Sequence, residues 1–196
     1  AADLLAESAP AEEQTYVENI RAESRRMKKL VEEMLTLFRA ENVRRETAFS
    51  EMDLSDVVTD AALRFEPVVF ESGRRLLYTI DEGLQVSGDR DALERLTGIL
   101  LDNAVKYALP ETPIRFVLEK GKRGVVLRCS NACTPLAEGE TEKLFDRFYR
   151  SDQARSADGS FGVGLSIARS IAEGHHGFIR AQCPQPGEIV FTAQLR

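Results

Sequence analysis

Leu100-Leu101-Asp102-Asn103-Ala104-Val105-Lys106-Tyr107 decides how the rest of the chain is read. Upstream of it, Leu93, Leu96, Leu100 and Ala104 recur at helical spacing behind Asp89, a residue suited to cap a helix N-terminus. Asn103 falls three residues after Leu100 and seven after Leu96, which places it along the apolar stripe rather than opposite it. A buried carboxamide must find hydrogen-bond partners, so it either satisfies neighbouring backbone or faces a polar ligand. Lys106 and Tyr107 follow at i+3 and i+4, on the same face. A carboxamide oxygen is a hard ligand suited to Mg²⁺, and an ammonium suits a phosphate as a point charge. Taken alone, the pattern fits a satisfied core amide better than a ligand site.

Two further clusters lie C-terminal to this helix. Gly159-Ser160-Phe161-Gly162-Val163-Gly164-Leu165-Ser166 ends where a new helical pattern begins. Glycines let a backbone approach a ligand closely, and the free N–H groups at a helix start favour phosphate. The spacing matches neither a Walker loop nor a dinucleotide fingerprint. Between the two, Leu144-Phe145-Asp146-Arg147-Phe148-Tyr149-Arg150-Ser151-Asp152 is followed by Arg155. Phe145 and Phe148 read as staples holding this loop to the core. Arg150 and Arg155 have no apolar pattern to explain them and are candidates for phosphate oxygens.

The remaining sequence frames these clusters. Behind Pro10, the residues Tyr16, Ile20, Met27, Val31, Met34 and Phe38 repeat with a period near 3.5, predicting a helix from Pro10 to about Ala40, roughly 45 Å long. Its stripe fits either a helix lying on the next domain or one arm of a dimerising hairpin. Polar Glu41 to Thr47 reads as a linker. Next come a helix behind Asp53, loosened late by Pro67, and a strand over Leu76 to Ile80. Ile114 to Glu119 and Val125 to Cys129 form a hairpin around Gly121 to Gly124. Thr134 to Phe161 has little periodicity and exceeds the roughly 12–15 residues usual for structureless loops, as functional loops do. A helix from Gly164 to Glu173 and strands Phe178 to Gln182 and Glu188 to Gln194 close the chain. The fold class is therefore α+β, helices layered on a mixed sheet.

Composition narrows the function. With 196 residues and 43% hydrophobic side chains there is enough chain for a real core. No apolar run reaches the roughly 18 residues of a membrane span, and no signal peptide is seen. A net charge of −6 argues against nonspecific nucleic-acid or anionic-membrane binding. Three cysteines without a C-x-x-C pair fit a reducing, cytosolic setting better than a disulfide or zinc framework. The start at Ala1, without Met, points to a piece of something longer.

The three clusters, in this order, resemble the histidine protein kinases of two-component signalling, which share an ATP-binding fold with DNA gyrase and the heat-shock chaperone ATPases. The Asn103 segment is similar to the family's asparagine box, Leu144 to Arg150 to its phenylalanine box, Gly159 to Ser166 to its second glycine box, and His175 and Gly177 to its His-Gly-Gly ending. The resemblance implies a Bergerat-type two-layer sandwich over residues 47–196 with a lid at about 134–161. It also implies that residues 1–46 are part of the dimerisation and phosphotransfer region, with the hairpin's second helix at about 10–41. It further implies that Asn103 holds Mg²⁺, and that Lys106, Tyr107, Asn131, Tyr149, Arg150 and Arg155 meet ATP. Gly162, Val163, Gly164, Leu165 and Ser166 would wrap its phosphates.

The implied activity is transfer of the γ-phosphoryl of ATP to a histidine upstream of Ala1, for relay to an aspartate on a response regulator receiver domain. No catalytic residue of this chain would be the acceptor. The implied setting is the cytoplasmic module of a membrane-anchored sensor, homodimeric through its hairpin, with no nucleic-acid partner. Two departures stand out. Asn131-Ala132-Cys133-Thr134-Pro135 replaces the family's Asp-x-Gly-x-Gly, keeping an acceptor for the adenine amino group without its charge. Ile99 stands where relatives carry Asn, or the glutamate base of the hydrolysing members. The first departure leaves open a nucleotide-impaired dimerisation or regulatory module; the second argues against an ATP-hydrolysing switch.

Overall fold

The computed structural model describes residues 11–46, 49–150 and 161–196. The chain divides into two units, Ala1–Thr36 and Leu37–Arg196. Helix α1, Ala11–Glu46, begins in the first. Within that unit Tyr16, Ile20, Met27, Val31 and Met34 are all at least half exposed, so the period-3.5 stripe is uncovered in the single chain. The predicted linker is a correction. The helix continues to Glu46, because Glu41-Asn42-Val43-Arg44-Arg45-Glu46 contains neither Gly nor Pro to break it.

In the second unit the elements run β1 (Ser50–Asp53), α2 (Leu54–Glu71), β2 (Arg75–Ile80), β3 (Gln85–Gly88), α3 (Arg90–Tyr107), β4 (Pro113–Gly121), β5 (Gly124–Ala132), α4 (Glu140–Lys143), α5 (Gly164–Gly174), β6 (Phe178–Gln182) and β7 (Glu188–Leu195). The main sheet has the order β2-β4-β5-β7-β6. Only β2 and β4 are parallel, the crossover between them carrying α3, and the other pairs are antiparallel. The sheet is mixed, as expected. Lys122 and Arg123 form the two-residue loop of the β4–β5 hairpin, with Gly121 opposite Gly124.

Alternate residues of the strands bury one face: Ile114, Phe116 and Leu118 on β4, Leu127 and Cys129 on β5, Ile189, Phe191, Ala193 and Leu195 on β7. The apolar sides of α2, α3 and α5 complete the same core. Burial of the Cys129 thiol in this layer pushes its pKa up to about 12. Helix α2 is capped by Asp53, whose Oδ1 accepts from the Ser55 N–H at 2.9 Å, and it runs through Pro67 to Glu71.

Two small devices escaped the sequence reading. Strands β1 and β3 pair antiparallel, with Met52 opposite Val86 and Ser50 opposite Gly88. Arg74, on the turn before β2, donates to the carbonyls of Ala108 and Leu109, satisfying the C-terminal end of α3.

Candidate functional site

Helix α3 sets the first wall. Asp89 is its N-cap, with Oδ1 accepting from the Ala92 N–H at 3.0 Å. Leu93, Leu96, Leu100, Leu101 and Ala104 are buried. Each large apolar side chain here contributes about 1.5–3 kcal/mol through burial. Turning the helix by one residue would expose several of them, so the bearing of every other α3 side chain is set. Asn103 then stands at the edge of the buried stripe, half-buried rather than inside it, which corrects the expectation of a position along the stripe. The reason is geometric: Leu96, Leu100 and Ala104 already fill the centre, and Asn103 precedes Ala104 by one step of about 100°. Lys106 is also half-buried and its Nζ lies 2.7 Å from Asp102 Oδ2, one helical turn back. Tyr107 is 37% exposed at the helix end.

The floor is the end of β5. Asn131 is 4% exposed and lies opposite Ile114 on one side and Ile189 on the other. Its Nδ2 donates to the Ala132 carbonyl at 2.9 Å; among the described residues its Oδ1 accepts no hydrogen bond. Ala132 also accepts from the Leu109 N–H, and the Cys133 N–H donates to Gly187 at 2.8 Å. The stretch that replaces two glycines is thus tied to both neighbours. Cys133 is buried, which raises its thiol pKa, with Cys183 and Glu188 adding to the effect.

The third element precedes and follows the segment 151–160. Phe145 is buried and meets Phe191 edge-on, with ring centroids 6.3 Å apart, as a staple should. Phe148 does not staple the loop: it is 56% exposed, and its backbone is left-handed at φ 63°. That conformation turns the ring outward and aims its N–H at the Gly162 carbonyl, 2.9 Å away. Tyr149 is held through its hydroxyl, which donates to Glu140 Oε1 at 3.0 Å, while Glu140 Oε2 accepts from the Ala137 N–H. Arg150 is half-buried beside them. Arg155, Gly159 and Ser160 lie outside the described residues.

Gly162 takes φ +70°, and a Cβ there would stand 2.5 Å from the Tyr149 carbonyl oxygen. Only glycine fits. Val163, 1% exposed, is the N-cap residue of α5 and offers no side-chain hydrogen bond to it. Ser166 Oγ donates to the Val163 carbonyl at 2.7 Å, so its hydroxyl does not cap the helix either. The first N–H groups of α5, from Gly164, Leu165 and Ser166, consequently have no side-chain acceptor among the described residues. A Cβ on Gly164 would lie 3.6 Å from Ile99 Cγ2. Asn103 follows Ile99 by one helical turn, so the carboxamide and the uncapped helix start share one end of the α3–α5 interface.

The structure therefore brings Asn103, Gly162, Val163, Gly164, Leu165 and Ser166 into one neighbourhood, with Tyr149 and Arg150 joined to it by the Phe148–Gly162 hydrogen bond. Asn131 stands on a separate element, the floor. Such an arrangement can hold an anion at the helix start and a hard cation at a carboxamide oxygen. Among the described residues no cluster of His, Cys, Asp or Glu could hold a metal by itself.

Residues 88–196 match the family described as histidine kinase-, DNA gyrase B- and HSP90-like ATPase. The chain is similar to the sensor protein DltS of Streptococcus agalactiae, 32% identical over 166 residues that cover 85% of this chain and 42% of that protein. It spans less than half the length of the curated relatives it matches. Among solved structures it superimposes on full-length ShkA in complex with AMPPNP, with TM-score 0.77 and 19% identity, over 100% of this chain and 42% of that one. It also resembles histidine kinase ThkA in complex with the response regulator TrrA, with TM-score 0.69 and 22% identity, over 96% of this chain and 53% of that one.

Proposed function

Because the chain belongs to the histidine kinase-, DNA gyrase B- and HSP90-like ATPase family, we propose that it is the kinase core of a sensor histidine kinase. It binds Mg-ATP between α3, the β5 floor and the start of α5. It then transfers the γ-phosphoryl group to a histidine outside this chain, from which a response regulator aspartate receives it. The observation that supports this best is the shared neighbourhood of the Asn103 carboxamide and the uncapped, glycine-built start of α5.

The roles follow from the chemistry of each group. The amides of Gly164, Leu165 and Ser166 donate to phosphate oxygens with the helix dipole behind them. Lys106 exchanges its Asp102 partner for a phosphate and supplies a point charge; Tyr107 borders the nucleotide at the helix end. Asn131 Oδ1 accepts from the adenine amino group. Tyr149 and Arg150 contact the phosphates, and Arg155 is a further candidate for their oxygens. When bound, Mg²⁺ neutralises charge on the transferring phosphoryl group, and Asn103 is the residue that holds it.

No residue of this chain accepts the phosphoryl group. His175 and His176 are its only histidines, and eleven residues of α5 put His175 about 16 Å from the phosphate end. In-line transfer needs reacting atoms within about 3–3.5 Å. Ile99, against Gly164, offers no base to activate water, so hydrolysis stays slow.

The exposed α1 stripe pairs with another hairpin helix and a second copy, making the intact protein a homodimer. No helix among the described residues is long and apolar enough to cross a membrane. The module works at the cytoplasmic side of a membrane-anchored receptor. Calorimetric titration with Mg-ATP tests the core of this reading. Saturable binding that weakens when the metal is chelated supports it; no binding by the folded chain favours the nucleotide-impaired module instead.

A further inference from the structure

The His175 imidazole takes no part in the chemistry above, yet it is engaged on every side. Its Nε2 accepts from the Asp89 N–H at 3.0 Å, and its Nδ1 lies 2.8 Å from the Ile171 carbonyl oxygen. Phe49 stacks on the ring with centroids 4.8 Å apart and planes 9° from parallel. Gly88 lies so close that a Cβ there would stand 2.6 Å from the ring. The residue is 1% exposed. Since Nε2 accepts, the ring proton sits on Nδ1 and is donated to Ile171, which makes the imidazole neutral with a single tautomer.

These two hydrogen bonds join distant parts of the site. Asp89 is the N-cap of α3, and the Ile171 carbonyl belongs to the last turn of α5. One ring thus ties the beginning of the helix that bears Asn103 to the end of the helix that starts at Gly164. Asn103 lies about 21 Å along α3 from Asp89, and Gly164 about 16 Å along α5 from His175. A tilt of about 3° at the tie moves a point 21 Å away by about 1 Å, an error large enough to damage phosphoryl-transfer geometry.

We propose that His175 is a positioning residue, one that sets the bearing of α3 against α5 and hence the spacing between the Asn103 carboxamide and the phosphate-facing amides of Gly164 to Ser166. This rests on reading those elements as the nucleotide site. A second proton would occupy Nε2 and set it against the Asp89 amide, breaking the tie. Burial lowers the pKa of the ring, the Ile171 carbonyl and the Asp89 carboxylate oppose that, and His176 adds to it. Asp89 and His176 are the titratable groups facing the ring; Phe49, Gly88 and Ile171 carry none. The tie is therefore intact at neutral pH and opens only at a pH below the ordinary imidazole range.

The test compares the parent chain with His175→Gln, which keeps an acceptor near Nε2 but does not titrate, and with His175→Ala. At about pH 7.5 the Gln variant should bind Mg-ATP like the parent, and the folded Ala variant at least about tenfold more weakly. Lowering the pH through the depressed titration of the ring should weaken binding more in the parent than in the Gln variant, protonation of the ligand cancelling in the comparison. Without nucleotide, the Asn103 carboxamide and Gly164 amide resonances should titrate with a midpoint below about 6.5 in the parent and stay still in the Gln variant. A Gln variant as weak as Ala at the higher pH, or one titrating like the parent, overturns the proposal, as does a folded Ala variant with parental affinity. If the Ala variant does not fold, the Gln comparison decides. If the parent binds no nucleotide, the nucleotide reading alone fails, and the resonances still decide the role of His175.

Discussion

Replacing Gly162 with Ala probes the turn between the aromatic loop and α5 more sharply than any other single change. Gly162 sits at φ +70°, a region that costs an L-residue roughly 1–2 kcal/mol. The new Cβ would also stand 2.5 Å from the Tyr149 carbonyl oxygen and 3.0 Å from the Phe148 carbonyl carbon, both backbone atoms. Relieving that contact moves the two segments apart and strains the Phe148–Gly162 hydrogen bond, worth about 0.5–1.5 kcal/mol. Together these come to about 2–3 kcal/mol, or roughly 30- to 150-fold in an equilibrium constant. The loss should fall on nucleotide affinity, because the turn can open locally without unfolding the core. Gly139 supplies the control: its φ is +73°, but a Cβ there meets nothing within 4 Å. Gly139→Ala should therefore show backbone strain alone, with Mg-ATP affinity nearly unchanged. Calorimetric titration of both variants, with thermal melting alongside, separates the effects. A Gly162→Ala chain that binds and melts like the Gly139→Ala chain would refute the reasoning.

Other outcomes follow from the same geometry. Asn103→Ala should melt within about 1 kcal/mol of the parent, since Ala is a good helix former at a half-buried site, yet lose at least about tenfold in Mg-ATP affinity. Parental affinity would remove Asn103 from the metal. A disulfide reagent at about pH 8 should label Cys183 quickly and leave Cys129 and Cys133 protected until the chain unfolds, because only Cys183 is exposed. Raised folded-state thiol pKa values also mean stability that is complete below the unfolded value of about 9 and lost as pH rises toward 12 for Cys129; alkaline melts of Cys129→Ala should be flatter than those of the parent.

Most of the scaffold of the site was legible because local physics specifies it. Asp53 and Asp89 announce their helices by side-chain chemistry alone, and the Leu93–Ala104 spacing announces the buried face of α3. What escaped depends on partners remote in sequence. The His175–Asp89 hydrogen bond spans 86 residues, and the Arg74 contacts to the end of α3 span more than thirty. Strands β1 and β3, at four residues each, are too short to show a period. Phe148 was misread as a staple because composition cannot reveal a left-handed backbone, whereas Phe145, at an ordinary conformation, packs as expected. The end of α1 was misplaced because a polar, charged stretch without Gly or Pro carries no helix stop signal.

The central claim is that this chain carries a kinase site but no acceptor. Incubation with γ-radiolabelled ATP and Mg²⁺, with and without a separate polypeptide carrying a phosphoacceptor histidine on a helical hairpin, tests it most directly. The account predicts acid-labile label on the added histidine, none on the chain itself and little free phosphate. Acid-labile label on His175 or His176, or vigorous phosphate release without transfer, would contradict it.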